Sequence, residues 1–258
     1  MHADGVYMIG KTHSVCQDYV VTNNSYVILS DGCSTSPDTD IGSRLLVKAA
    51  EHHIQSNPNP ETLHQEAARL ALDWARALGL APQTIDATLL TAFRSGEDLI
   101  VSCSGDGVIV TETISGIREI YEISYPAGYP FYPAYLHQPD RLATLIQAGS
   151  STKDIKQYSS AGLSGIRHCD RPIHVMRLSA KDFRFVALIS DGVRSFFTTA
   201  NKSVESVSWS NVIPELMSFK SWNGAFVARR VNRFMKDCQA KDWHHADDLS
   251  MGVLYLGS

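Results

Sequence analysis

With 258 residues, 44% of them apolar, the chain is long enough to bury a substantial core as one large domain or two small ones. A formal net charge of −4, with no Lys/Arg-rich stretch, argues against nucleic acid or an anionic membrane surface as the main partner. No apolar run approaches the roughly 20 residues needed to cross a bilayer, and Met1-His2-Ala3-Asp4-Gly5 lacks the basic-then-apolar pattern of a secretory signal. The five cysteines (Cys16, Cys33, Cys103, Cys169 and Cys238) are scattered and form no CxxC pair. A disulfide framework or zinc site is therefore not expected, and a reducing cytoplasm is.

Residues 6–9 and 25–30 are β-branched or aromatic runs ending at turn formers, and predict strands. Thr39 or Asp40 can cap a helix carrying Ile41, Leu45 and Ala49 with Leu46, Ala50 and Ile54 at four-residue spacing, broken by Asn57-Pro58-Asn59-Pro60. A second helix is predicted from Glu61, with Leu63, Ala67, Leu70, Ala71, Trp74 and Leu78 on one face and Gly79 closing it. Strands are predicted over 87–93 and 99–103. The latter continues through Ser104-Gly105-Asp106-Gly107 into Val108-Ile109-Val110, which reads as a hairpin with an Asp-Gly turn. A strand at 119–123 follows.

Residues 125–171 read as irregular, with one short helix near 141–147. Strands resume at 174–178 and 183–189, then a helix over 225–239 with Val227, Val231, Phe234, Met235 and Cys238, and a last strand over 249–256. The order lacks a βαβ alternation, so the expected class is α+β with mostly antiparallel sheets.

Residues 27–32 and 187–192 are both apolar runs ending in Ser-Asp-Gly. A lone Asp-Gly commonly makes a turn. Here no return strand follows at once, so Asp31 and Asp191 sit at strand ends on the rim of a sheet. Asp18 precedes a strand around Val20-Val21, and Asp247-Asp248 precedes the final strand. Strand-end carboxylates drawn from distant segments suit a hard cation such as Mg²⁺ or Mn²⁺, which needs an oxygen-rich site. Gly32 lets the backbone come close enough to offer its carbonyl. On the residues alone, the turn and the metal readings both stand.

At these positions the sequence resembles the metal-dependent Ser/Thr protein phosphatases of type 2C. The motifs are Gln17-Asp18, Leu29-Ser30-Asp31-Gly32, Ala87-Thr88-Leu89-Leu90, Ser104-Gly105-Asp106-Gly107, Ile189-Ser190-Asp191-Gly192 and Asp247-Asp248-Leu249-Ser250, in family order along nearly the whole chain. Gly10-Lys11-Thr12-His13 with Cys16 looks closer to a divergent bacterial branch. The resemblance implies an α+β, four-layer α-β-β-α sandwich of two central antiparallel sheets flanked by helices. It implies a single domain over 1–258 with a flap-like insertion at about 125–171. It also implies hydrolysis of phosphoserine and phosphothreonine in proteins by a water bridging two divalent cations, Mn²⁺ or Mg²⁺, with a third, weaker cation.

The same resemblance assigns roles. Asp31 bridges the metals, Gly32 gives a carbonyl, and Asp191 and Asp247 complete one metal's shell. Asp18 lies nearby, often through water, and Asp106 serves the third metal, with a plain turn as its rival reading. The implied partners are a phosphorylated protein substrate and a cognate Ser/Thr kinase. Two departures stand out. Cys33 occupies the place where the eukaryotic enzymes carry a His, and no Arg shortly precedes the first motif, leaving His13 and Lys11 as the nearest phosphate-binding candidates, with Arg194 another cation at the rim. No Cys has an Arg six residues on, so a cysteinyl-phosphate route is not expected. Tyr125, Tyr129, Phe131, Tyr132 and Tyr135 either bind substrate or pack the flap. The competing readings are a non-catalytic binding module and a hydrolase of small phosphoesters.

Overall fold

The computed structural model describes residues 1–56, 58–149, 152–199 and 203–257. Asn57 of the expected helix breaker and Ser150 and Ser151 of the 125–171 segment lie outside the described residues. The chain opens with β1 (His2–Met8), β2 (Asp18–Asn23) and β3 (Tyr26–Asp31), then α1 (Thr39–Ser56) and α2 (Leu63–Ala77). Strands β4 (Leu89–Ser95), β5 (Asp98–Ser104), β6 (Gly107–Thr113) and β7 (Arg118–Ser124) follow. Next come α3 (Pro139–Gln147), β8 (Lys153–Ser159), β9 (Gly162–Cys169), β10 (Ile173–Ser179) and β11 (Phe183–Ile189). The last third holds β12 (Phe196–Thr198), β13 (Glu205–Ser206), α4 (Trp209–Leu216), α5 (Phe226–Ala240), β14 (Trp243–His245) and β15 (Leu249–Tyr255).

Two antiparallel sheets carry the fold. One has the order β1-β15-β11-β6-β7-β8-β9 and the other β10-β5-β4-β3-β2. Side chains of a strand alternate between its faces. In β3, Val27 and Leu29 therefore point at the other sheet, meeting Ile109, Val186 and Leu188. Ile28 points outward and packs under Leu46, Ala50, Ala67 and Ala71 of α1 and α2. In β11 the same split sends Ala187 and Ile189 outward against Val212, Ile213, Val227, Val231 and Phe234 of α4 and α5. Residues 26–29 of β3 and 185–189 of β11 form unbroken apolar runs because both faces of each strand are covered there. Three apolar zones thus separate four layers, α-β-β-α, the architecture that the family resemblance implies.

Several local expectations need correction. The 104–108 segment is not a hairpin: β5 belongs to the five-stranded sheet and β6 to the seven-stranded one, so Gly105-Asp106-Gly107 carries the chain between sheets. Gly105 (φ 88°) and Gly107 (φ 142°) supply the left-handed backbone that this crossing needs. Residues 125–171 are also more regular than expected, because β8 and β9 pair into a hairpin that extends the seven-stranded sheet. Most of β9 is exposed, so it carries no apolar alternation to betray it. The segment after Asp191 forms the short strand β12, and α4 escaped notice because Pro214 lies inside it. Among the described residues, no helix is long and apolar enough to cross a membrane.

Candidate active site

The aspartates are set by strand ends. Asp31 closes β3, directly opposite Asp18 at the start of β2. The Ala87-Thr88 step clamps this end. The Asp31 amide donates to Thr88 Oγ1 (3.0 Å), the Thr88 amide donates to the Asp31 carbonyl (2.8 Å), and Gly32 bridges Ala87. Ser30 Oγ donates to the Thr88 carbonyl at 2.6 Å.

At the end of β11, the Ser190 amide donates to the Ser250 carbonyl (3.0 Å), and Ser190 Oγ accepts from the Ser250 amide (2.9 Å). Asp191 then opens a single 3₁₀ turn in which Gly192 lies against the Asp248 backbone; a Cβ there would run into the Asp248 carbonyl. Ser195 Oγ donates to the Gly192 carbonyl (2.8 Å) and accepts from the Asp247 amide (3.1 Å), which ties the two loops together.

Asp31, Asp106, Asp191, Asp247 and Gly32 line one small cleft of 130 Å³ at this end of the sandwich, together with Cys33 and Tyr132. The charges are poorly compensated. Burial, then the charges of Asp18, Asp191 and Asp106, raise the Asp31 carboxyl well above the ordinary range. Burial and Asp191 push Asp106 up to about 7, with Arg194 opposing. Burial and Asp191 also raise Asp247. Asp18 is fully buried, neither of its oxygens has a hydrogen-bond partner of ordinary geometry, and burial pushes it to about 7 despite the nearby Ser250, Ser190 and Asp31 side chains. Among the described residues, no group of three or more His, Cys, Asp or Glu side chains stands ready to hold a metal as placed.

The remaining candidates fall around this cleft. His13 sits between two carboxylates, with Nε2 3.3 Å from Asp247 Oδ1 and Nδ1 3.1 Å from Asp248 Oδ2. Burial works against its charge, but Asp248, Asp247 and Asp18 together raise its pKa. Lys11 is absent from the cleft lining; its ammonium lies 5.7 Å from the centre of the Phe197 ring. Arg194 lies 3.6 Å from Glu122. Most of the flap aromatics pack: Tyr125, Phe131 and Leu145 form a small core with Tyr135 and Leu136, whereas Tyr129 is exposed.

Two elements went unread in the sequence. Asp248 accepts hydrogen bonds from the Gly10 amide (2.7 Å) and the Gln17 amide (2.6 Å), fixing the N-terminal loop; the Asp247-Asp248 doublet was its only local signal. Asp86, almost fully buried, takes both arms of Arg141 from α3 at 2.9 and 2.7 Å, and also accepts from Ser36 Oγ at 2.7 Å. The Cys33 amide donates to the Asp86 carbonyl (2.8 Å), so this pair ties the flap to the loop after Asp31. Nothing local announces it, since its members are 55 residues apart.

A family model described as protein phosphatase 2C matches residues 9–224. The chain belongs to the protein phosphatase 2C family. Solved structures share this phosphatase fold over the whole chain. A bacterial serine phosphatase is 11% identical, with 100% of this chain and 99% of that chain covered and a TM-score of 0.59. The Mycobacterium tuberculosis serine/threonine phosphatase PstP is 15% identical, with 100% and 99% covered and a TM-score of 0.58. The PstP catalytic domain solved in complex with two manganese ions is 14% identical, with 98% and 96% covered and a TM-score of 0.56. No curated protein matches the sequence. Within the phosphatase 2C family this chain is thus a divergent, bacterial-type member.

Proposed function

We propose that the chain, acting as one domain over residues 1–258, is a metal-dependent protein phosphatase that hydrolyses phosphoserine and phosphothreonine in proteins. The observation that supports this most is the uncompensated acid cleft. Asp31, Asp106, Asp191 and Asp247 share one small volume, and burial together with neighbouring charge disfavours the anions of Asp31, Asp106 and Asp247 without a counter-cation. The donor set fits hard divalent cations, since it consists of carboxylate oxygens and the Gly32 carbonyl with no imidazole or thiolate required. The unpartnered oxygens of buried Asp18 fit the same reading.

Asp31 with Gly32 would hold both of two cations, Mn²⁺ or Mg²⁺; Asp191 and Asp247 would complete one shell, Asp18, opposite Asp31 in the β2–β3 ladder, would support it, and Asp106 would serve a third, weaker cation. Such cations supply an activated water and offset phosphoryl charge.

The protein's own groups do the positioning. Ser195 fixes the Asp247 backbone, and His13 bridges the Asp247 and Asp248 carboxylates, whose charges raise its pKa against the effect of burial. The charge of Arg194 opposes the rise in the Asp106 pKa. The cleft is small and reaches the surface, so a side chain presented by a protein can enter it. All five cysteines are free, in keeping with work in a reducing cytoplasm on the product of a Ser/Thr kinase. The test is hydrolysis of an aryl phosphate and a phosphoserine peptide with Mn²⁺, with Mg²⁺ and with chelator. Turnover that needs the cation is expected; turnover undiminished by chelator, or none on either substrate, overturns the reading.

A further inference from the structure

The two large sheets end at β9 and β10, and among the described residues neither strand has a neighbour on its outer side. The chain passes from one edge to the other through Asp170-Arg171-Pro172, so the edges flank an opening in the side of the sandwich. Two cavities of 740 and 450 Å³ lie there and share Arg167, His174, Val175 and Arg177 as walls. In a chain of net charge −4 this opening is basic. Arg167, Arg171 and Arg177 line it against a single acid, Glu61. Asp98 holds Arg177 at 3.0 Å, but no carboxylate pairs with Arg167 or Arg171 among the described residues.

His174 is only 7% exposed, yet its Nε2 has no partner. A buried polar atom left unpaired costs stability, and His174 is a wall residue of both cavities. Burial, then the charges of Lys153 and Arg167, push His174 down to about 4, so its ring stays neutral and Nε2 can carry a proton to donate. Lys153, almost fully buried, donates to the Pro172 carbonyl at 2.9 Å in the wall of the same opening.

Two features define the occupant. Unpaired guanidiniums recognise phosphate through paired N–H donors. Exposed strand edges recognise an extended backbone, and β9 also presents Leu163 and Ile166 to solvent. β10 begins opposite Ser104, two residues before Asp106, so a peptide lying along it runs towards the acid cleft.

We propose that the β9–β10 opening docks a second, phosphate-bearing stretch of the protein substrate, away from the residue being hydrolysed. Naming the partner as substrate rests on the phosphatase reading above; the anion site itself does not. The probes are two non-hydrolysable phosphonate peptides of one sequence, carrying one or two phosphoserine mimics, whose binding to the Mg²⁺-supplied protein is read by fluorescence anisotropy. The double variant Arg167→Gln/Arg171→Gln is expected to weaken the doubly modified peptide by about tenfold or more and leave the singly modified one unchanged. Arg167→Lys/Arg171→Lys should fall in between.

Because both arginines are exposed, the thermal midpoint and aryl phosphate turnover should not move. In the parent, the His174 ring resonances should shift on adding the doubly modified peptide. Equal affinity of parent and Gln variant for that peptide overturns the proposal, as does displacement of it by inorganic phosphate at equal concentration, which makes free phosphate the occupant. If the parent hydrolyses nothing but the variant still loses the peptide, the phosphatase reading fails and the docking site stands.

Discussion

The two Ser-Asp-Gly ends share three residues and an apolar lead-in, yet they are built differently. At Asp31 the strand ends, and Gly32 adds an isolated bridge to Ala87. At Asp191 the strand stops in a 3₁₀ turn locked against the Asp248 backbone. The serines differ as well: Ser30 Oγ donates to a carbonyl, whereas Ser190 Oγ accepts from an amide. The local motif places a carboxylate on the rim, and the neighbouring strand decides how rigidly it stands there and which acids it faces. Asp31 faces Asp18 across a ladder pair and Asp191 across the cleft, so it is the more crowded carboxylate of the two.

The sharpest test of this difference is Asp31→Asn. It removes one charge from the most crowded point while keeping the shape. If Asp31 is shared between two cations, hydrolysis should fall by about two orders of magnitude or more, each factor of ten being about 1.4 kcal/mol of transition-state stabilisation. The cation-free variant should melt no lower than the cation-free parent, because like-charge repulsion is relieved. Phosphopeptide turnover and thermal midpoint, measured on the same two proteins, read both effects. Wild-type turnover in the variant would leave Asp31 without its proposed role.

The glycines test the rigidity. A Cβ at Gly192 would collide with the backbone of Asp248 and Leu249, while one at Gly32 would press on Thr39 atoms, its side chain among them, with somewhat more room. Both changes overpack, at about 1–3 kcal/mol, and Gly192→Ala should be the costlier. Denaturant midpoints of the two variants settle the order; the reverse ranking would mean that the β11 end yields more easily than the β3 end.

Arg141→Ala probes what holds the β3 end from outside. It leaves Asp86 buried without its bidentate partner, and Asp86 is joined by backbone to Cys33. Losing one member of a fully buried pair costs about 3–5 kcal/mol; Arg141 is partly exposed, so about 1–3 kcal/mol is expected. Proteolysis should first cut the 125–149 stretch, and a variant as resistant as the parent would detach the flap from this pair.

How much of this was legible follows from the range of the forces involved. Asp31 and Asp191 announced themselves because each ends a run that is apolar on both faces, a pattern written within six residues. The Leu78-Gly79 end of α2 was equally local: the Gly79 amide donates to the Arg76 carbonyl and the Leu80 amide to the Ala75 carbonyl, around a glycine at φ 73°. The role of Ser104-Gly105-Asp106-Gly107 was not local. The same four residues serve a hairpin or a crossing, and the choice is made by β10 pairing with β5 and β11 with β6. Exposed β9 and the Asp86–Arg141 pair were silent for the same reason, since their partners are chosen in space.

The smallest expected effect belongs to Cys33, next to the β3 end. A thiol in an acid cleft invites a nucleophilic reading, and its pKa is indeed lowered: burial alone would raise it, but the hydroxyls of Thr35, Tyr132 and Ser36 outweigh burial. Those contacts place it differently. Sγ lies 3.1 Å from Thr35 Oγ1, and its backbone amide is committed to Asp86. A serine hydroxyl preserves both arrangements and cannot become a thiolate. If the reaction runs through water held among the aspartates, Cys33→Ser should change kcat/KM by less than about tenfold, under 1.4 kcal/mol in the barrier. Such a result would confine the chemistry to the carboxylates that the two Ser-Asp-Gly ends present. Complete loss of turnover in a folded Cys33→Ser protein would place the reacting group on the loop after Asp31, and the two ends would then differ in chemistry as well as in support.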